Sequence, residues 1–271
     1  MSDQRFFETS DGTRLAVDMA GEGPPVVFQH GLCGDAGQTR EAFPNDQNLR
    51  RITIEARGHG GSQPGPLERL SIATFAEDVA AFIENDLQQP VFVGGISMGA
   101  AIALRLAVRR PDLVRGLILA RPAWVTDAAP ANMVPNALVG RLLETLPPEE
   151  AKAAFLTGPI GQMLAQEAPD NLASLMGFFQ RQPIAVTAAL LTAISADGPG
   201  VSEAEIRAVS VPALVIGHER DFIHPLSHAK ILADMLPFAR LVQITPKAEN
   251  RQAYLSDFHQ AVTTFMKALK T

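Results

Sequence analysis

Cysteine occurs once in the 271 residues, as Cys33, so no intrachain disulfide can form. A reducing compartment is compatible with that. Positive charge is not in excess either. The 23 Lys and Arg against 29 Asp and Glu leave a formal charge of −6, with a pI near 5.5. Such a chain offers no electrostatic footing for nucleic acid or an anionic membrane. Long apolar runs are missing: the apolar stretches are short and bounded by Gly or Pro, and Met1-Ser2-Asp3-Gln4-Arg5 leads into no signal-like segment. We therefore expect a soluble, cytoplasmic protein that binds neither nucleic acid nor membrane. No histidine–carboxylate cluster has metal-ligand spacing, and Gly58–Gly61 lacks the lysine and helix of a phosphate loop. Neither a metal nor a cofactor is expected, and internal repeats and low-complexity segments are absent.

What is there suits a well-cored domain: 46% of residues are apolar and 19% charged. A length of 271 residues lies within the range that one α/β unit fills. Extended segments near Arg5–Thr9 and Arg14–Met19 flank Asp11-Gly12, a hairpin signal. Strands are predicted at Pro24–Gln29, Arg51–Glu55, Pro90–Gly94, Val114–Ala120, Val211–Gly217 and Arg240–Thr245. Helices are predicted at Ile72–Leu87, Met98–Arg110, Leu226–Leu236 and Gln252–Leu269. Continuous apolar strands alternating with helices imply a mostly parallel sheet covered on both faces.

Residues 121 to about 200 break that rhythm. They hold helix-like stretches at Leu138–Leu146, Asn171–Arg181 and Ile184–Ala196, many prolines, and no convincing strand. The expectation is a core of residues 1–120 and 201–271, with 121–200 inserted as an all-helical cap over one edge of the sheet. Met163, Met176, Phe178 and Phe179 mostly pack that cap onto the core, the alternative being an apolar pocket.

Chemistry is concentrated in Gly95-Ile96-Ser97-Met98-Gly99, which follows a strand and opens a helix. A sharp strand–turn–helix junction needs small residues two before and two after its nucleophile. It exposes the hydroxyl beside the free N–H groups of a helix N-terminus. With His30-Gly31-Leu32-Cys33-Gly34 after the third strand and Arg57-Gly58-His59-Gly60-Gly61-Ser62 after the fourth, the chain resembles the α/β-hydrolase family over essentially its whole length. The resemblance implies a nucleophile at Ser97 and an oxyanion hole made by the backbone N–H groups of Leu32 and Met98. It also implies an acid at Asp221, in the loop after the penultimate strand. A serine at the elbow argues against the dehalogenase and epoxide hydrolase branches, which carry aspartate there. His30 and His59 are expected to brace these loops, and Cys33 to be a small buried residue.

The family's histidine, just beyond the last strand, has no counterpart. That stretch reads Pro246-Lys247-Ala248-Glu249-Asn250-Arg251. His259 falls inside the C-terminal helix, facing solvent or the sheet. Asn250 could hydrogen-bond Asp221 but has no useful basicity, and Glu249 is a poor base for a hydroxyl. His224, three residues after Asp221, is the candidate to replace the missing base; the other reading is a pocket-lining or loop-bracing histidine. His228 is expected to be exposed and His218 structural. The functions implied are a serine hydrolase acting on a small ester or related acyl substrate, or a catalytically impaired relative that binds an apolar small molecule under its cap. Oligomeric state is open.

Overall fold

In the computed structural model, which describes residues 5–45 and 48–269, eight strands form one sheet. In chain order they are β1 (Arg5–Glu8), β2 (Arg14–Ala20), β3 (Pro25–Gln29), β4 (Arg50–Ile54), β5 (Val91–Ile96), β6 (Val114–Ala120), β7 (Ala213–Gly217) and β8 (Ala239–Gln243). Their spatial order is β1-β2-β4-β3-β5-β6-β7-β8. The pairs β1–β2 and β2–β4 are antiparallel, and the remaining pairs are parallel. The β1–β2 hairpin closes where Asp11-Gly12 signalled it, with Thr13 N–H donating to the Asp11 carboxylate at 3.2 Å.

The helices are α1 (Ala36–Ala42), α2 (Ile72–Phe82), α3 (Met98–Arg109), α4 (Val134–Thr145), α5 (Pro148–Thr157), α6 (Pro159–Glu167), α7 (Pro169–Phe178), α8 (Ile184–Ala196), α9 (Glu203–Arg207), α10 (Leu226–Met235) and α11 (Arg251–Ala268). Successive side chains of a strand point to opposite faces, and the central strands split their apolar residues accordingly. Val27, Val93, Leu117, Leu119 and Val215 join one core cluster with α2, α3 and α10. Val26, Phe28, Ile118, Leu214 and Ile216 join the other. There the stripe Tyr254, Phe258, Val262 and Phe265 of α11, at helical spacing, closes the second face.

Helices α4 to α8 all lie between β6 and β7, where no strand intervenes. Four of these helices carry too little periodicity to be read from the sequence: α1, α5, α6 and the five-residue α9. α1 is short, and Asp35 starts it by accepting the Gly37 N–H at 2.7 Å. α5 and α6, like α7, begin with a proline, whose missing N–H costs nothing in the first turn. Those prolines start helices rather than break them. The predicted Ile72–Leu87 helix is α-helical only to Phe82 and continues as a π-turn to Leu87, ending at left-handed Gln88. No helix among the described residues is long and apolar enough to cross a membrane.

Candidate active site

The parallel strands β3 to β8 present their carboxyl ends along one edge of the sheet, where open α/β folds collect ligands. Ser97 stands at that edge, between β5 and α3, with φ 56° and ψ −112°. A non-glycine residue in that region carries strain of about 1–3 kcal/mol, so the surroundings must enforce it. They do so by close packing. A Cβ on Gly95 would lie 2.6 Å from the Gln29 carbonyl oxygen, and one on Gly99 2.4 Å from the same atom. Larger residues would push α3 away from β3 and undo the turn.

The loop after β3 lies against the serine: a Cβ on Gly31 would be 3.4 Å from Ser97 Cβ. Gln38 Oε1 holds this loop by accepting the Gly31 N–H at 2.6 Å. His30 donates from Nδ1 to the Gly31 carbonyl at 2.8 Å and accepts the Ala56 N–H at 3.0 Å. His59 likewise donates to the Arg57 carbonyl at 2.9 Å and accepts the Cys33 N–H at 3.0 Å. Burial drives both imidazoles below their usual range, so they brace the loops as neutral rings. Burial pushes the Cys33 thiol up to about 12, which keeps it protonated.

On the other side, the loop after β7 brings Asp221 and His224 to the serine. His224 Nε2 lies 2.9 Å from Ser97 Oγ. Its Nδ1 lies 2.9 Å from Asp221 Oδ1 and 3.0 Å from Oδ2. Ser97, His224 and Asp221 thus form one connected chain of hydrogen bonds. The Asp221 side chain, 1% exposed, is held from three further directions. Asn171 of α7 donates to Oδ1 at 2.9 Å, and the His224 N–H to the same oxygen at 3.0 Å. Arg121, the first residue after β6, donates to Oδ2 from Nε at 3.0 Å and from Nη2 at 2.6 Å.

Burial opposes ionisation of Asp221, but the Arg121 guanidinium and His224 outweigh it and hold the carboxyl well below its usual range. An ionised carboxylate only accepts, so His224 Nδ1 must carry the proton and Nε2 accepts from the serine hydroxyl. Arg121 Nη2, 3.1 Å from Nδ1, is then a second donor beside the first, held there by the shared carboxylate. The His224 pKa is lowered chiefly by burial, with Asp221 opposing the shift and Arg121 adding to it. The ring is therefore neutral, the state a base requires.

Other candidates lie elsewhere. Asn250 does not reach Asp221: it caps α11, accepting the Ala253 N–H at 3.0 Å. Glu249 pairs with Arg220 at 3.3 Å, and His259 reaches the Glu41 carbonyl at 2.9 Å, tying α11 to α1. His218 is buried, its Nδ1 donating to the Glu219 carbonyl at 2.7 Å. His228 is not exposed as expected: it is half-buried, with Nδ1 sealed from solvent at the start of α10. Arg121, Asn171 and the pocket residues Asn136 and Lys247 were not anticipated. Arg121 had a readable signal, a charge directly following a buried strand at the ligand-binding edge. Asn171 had none, since its contact with Asp221 spans 50 residues.

A cavity of about 180 Å³ opens onto Ser97 and His224. Met133, Leu175 and Phe178 from the helical insertion form its apolar wall. Phe178 therefore borders a pocket, whereas Phe179 packs on Phe155 with ring centroids 6.0 Å apart.

The chain has relatives among known proteins. BpoC of Mycobacterium tuberculosis, whose name assigns it provisionally to the non-heme bromoperoxidases, is 29% identical over 238 residues, 85% of this chain and 88% of that one. Its solved structure superposes with a TM-score of 0.70 over all of both chains, at 26% identity. The pimeloyl-(acyl-carrier protein) methyl ester esterase of Chromobacterium violaceum is 29% identical over 264 residues, 95% of this chain and 98% of its own length. The solved structure of Est816, an N-acyl homoserine lactone degrading enzyme, matches with a TM-score of 0.70 and 25% identity, covering 96% of this chain and 100% of that one. The model of the alpha/beta hydrolase fold family matches residues 24–246, and the chain belongs to that family.

Proposed function

We propose that the protein is a serine hydrolase that cleaves a small ester or related acyl substrate through an acyl-enzyme on Ser97. The observation that carries this reading is the 2.9 Å contact between His224 Nε2 and Ser97 Oγ, with Asp221 on the opposite ring nitrogen. A base must lie within hydrogen-bond reach of the proton it takes, and the third group fixes its tautomer. The other expectation, an impaired binding protein, rested on the absence of a base after the last strand. The His224 contact weighs against it. That a methyl ester esterase and a lactone-degrading enzyme are among the relatives supports an ester-type carbonyl as target.

In this mechanism His224 Nε2 takes the Ser97 proton as Oγ attacks the substrate carbonyl carbon. The carbonyl oxygen gains the negative charge and is met by the backbone N–H groups of Leu32 and Met98. Met98 opens α3, so its N–H has no partner within the helix, and Leu32 lines the cavity. The protonated His224 passes its proton to the departing alcohol as the carbon–oxygen bond breaks, leaving the acyl-enzyme. Water then attacks, His224 takes its proton, and collapse of the second intermediate returns that proton to Ser97 as the acid leaves. Arg121 and Asn171 orient Asp221, and Arg121 neutralises its charge. The insertion between β6 and β7, lining the cavity from α4 and α7, acts as the cap that selects the acyl or alcohol group.

Fluorophosphonate labelling, read by intact mass on wild type, Ser97→Ala and His224→Ala, tests the reading without a guess at the substrate. Fast labelling of wild type alone is expected. Absence of labelling on folded wild type overturns it, and undiminished labelling of His224→Ala would send the role of base elsewhere.

A further inference from the structure

The polar lining of the Ser97 cavity is lopsided in charge. Arg121 and Lys247 border it, and among the described residues no Asp or Glu side chain does. The Arg121 cation is already met by Asp221 at 2.6 Å. Lys247 is different. It stands just past β8, half-buried, and among the described residues no hydrogen bond or ion pair reaches its ammonium. Lys247 is thus a cation in the lining of a cavity of about 180 Å³, in a protein whose formal charge is −6.

A second group in the same lining is unsatisfied. Asn136 of α4 is 6% exposed, and its buried Oδ1 has no hydrogen-bond partner. A buried polar atom without a partner costs about 1–3 kcal/mol, so a turn of the side chain that pairs it as a ligand enters is favoured. A carboxamide can also turn over and present its N–H groups in place of its oxygen. Two other polar side chains of the lining are engaged within the protein. Asn171 donates to Asp221 and accepts the Phe222 N–H at 2.7 Å, and Ser174 donates to the Asp170 carbonyl at 3.0 Å.

We propose that this cavity takes an ester carrying a carboxylate of its own, with the Lys247 ammonium as its counter-charge and the Asn136 carboxamide meeting a second polar group of the substrate. The reaction rests on the Ser97 reading above; the binding preference does not. An ammonium beside the scissile ester discriminates a carboxylate from a neutral group of equal shape, because only the charged one gains from the cation as both lose water. The volume of about 180 Å³ keeps that carboxylate within a few bonds of the ester. The stretch in which the family's histidine is missing thus supplies a substrate contact, and the base comes from the other loop.

Monomethyl succinate and its neutral isostere methyl succinamate form the test pair. Turnover is measured on wild type, Lys247→Gln and Lys247→Glu, and affinity by NMR titration of the same three in a Ser97→Ala background. Thermal melting checks that each is folded. Wild type is expected to favour the carboxylate about fivefold in both readouts, the scale of one partly solvated ion pair. Lys247→Gln should erase that margin and Lys247→Glu reverse it. Equal affinity for the two molecules, no binding of either, or a margin that survives Lys247→Gln overturns the inference. A Lys247-dependent affinity margin without turnover of either ester upholds it and counts against the hydrolase reading alone.

Discussion

Arg121 and His224 converge on a single carboxylate: Arg121 Nη2 lies 2.6 Å from Asp221 Oδ2 and 3.1 Å from His224 Nδ1. The guanidinium therefore stabilises the Asp221 carboxylate while opposing protonation of His224. Replacing it in Arg121→Gln removes a positive neighbour of His224 and leaves Asp221 a freer anion. Both changes favour the imidazolium. The acid limb of kcat/KM, or of the labelling rate, should move to higher pH than in wild type. A limb that stays in place or moves lower contradicts this arrangement.

In wild type the sign is the opposite. His224 is held below the usual imidazole value of 6.5, first by burial. Its neutral, active form persists as pH falls through 6.5 and is lost only below it. A pH profile of labelling should therefore stay flat through neutrality and drop on the acid side of that value. An acid limb above 6.5 would show that His224 is not the titrating base.

Removing either partner of the serine should cost far more than moving a pKa. His224→Gln keeps polar contacts but no basicity, and kcat/KM should fall on the order of 10³-fold or more. Asp221→Asn cannot both accept from Nδ1–H and neutralise Arg121. It should lose about 10⁴-fold in kcat. It also strands a guanidinium only 14% exposed, at a cost of about 3 kcal/mol that a denaturation midpoint would register. A variant as stable as wild type would mean that Arg121 finds another counter-charge.

The elbow depends on hydrogen atoms in place of side chains. Gly99→Ala puts a methyl group 2.4 Å from the Gln29 carbonyl oxygen, a backbone atom that cannot swing aside. Destabilisation of about 1–3 kcal/mol is expected, together with loss of labelling as the Ser97 turn opens. Unchanged labelling would mean that α3 shifts without disturbing the serine.

Acid should also weaken the fold. His30, His59, His218, His224 and His228 all have pKa values below 6.5 in the folded protein, in each case first because of burial. The unfolded chain takes up protons at these sites near 6.5, and the folded chain only at lower pH. Their contribution is therefore complete above 6.5 and declines as pH drops below it. Urea midpoints measured from pH 7.5 downward should fall across that window. A midpoint that rises on acidification would contradict the buried, neutral state of these rings.

Much of this architecture was legible in local pattern. The alternation of apolar runs with helical periodicity placed all eight strands to within a few residues, and Gly95–Gly99 marked the turn. Asp221 and His224 were legible as candidates because three residues and one loop separate them. The short α1 and α9 and the proline-started α5 and α6 were not, since a run of one or two turns carries too little periodicity. The prolines read as breaks where they are first residues of helices.

By its sequence alone, the chain determined the parallel sheet, the sharp junction at Ser97, and the want of a histidine after the last strand. These follow from properties that neighbouring residues carry: side-chain periodicity, the size of glycine, the identity of a residue in a stretch. Tertiary structure alone decided that His224 Nε2 meets Ser97 Oγ across 127 residues, that Arg121 and Asn171 share Asp221, and that Lys247 and Asn136 line one cavity, the Lys247 ammonium and Asn136 Oδ1 without a partner among the described residues. A hydrogen bond of 2.9 Å depends on how β5, β6, β7 and α7 stack, and no spacing along the chain encodes that distance.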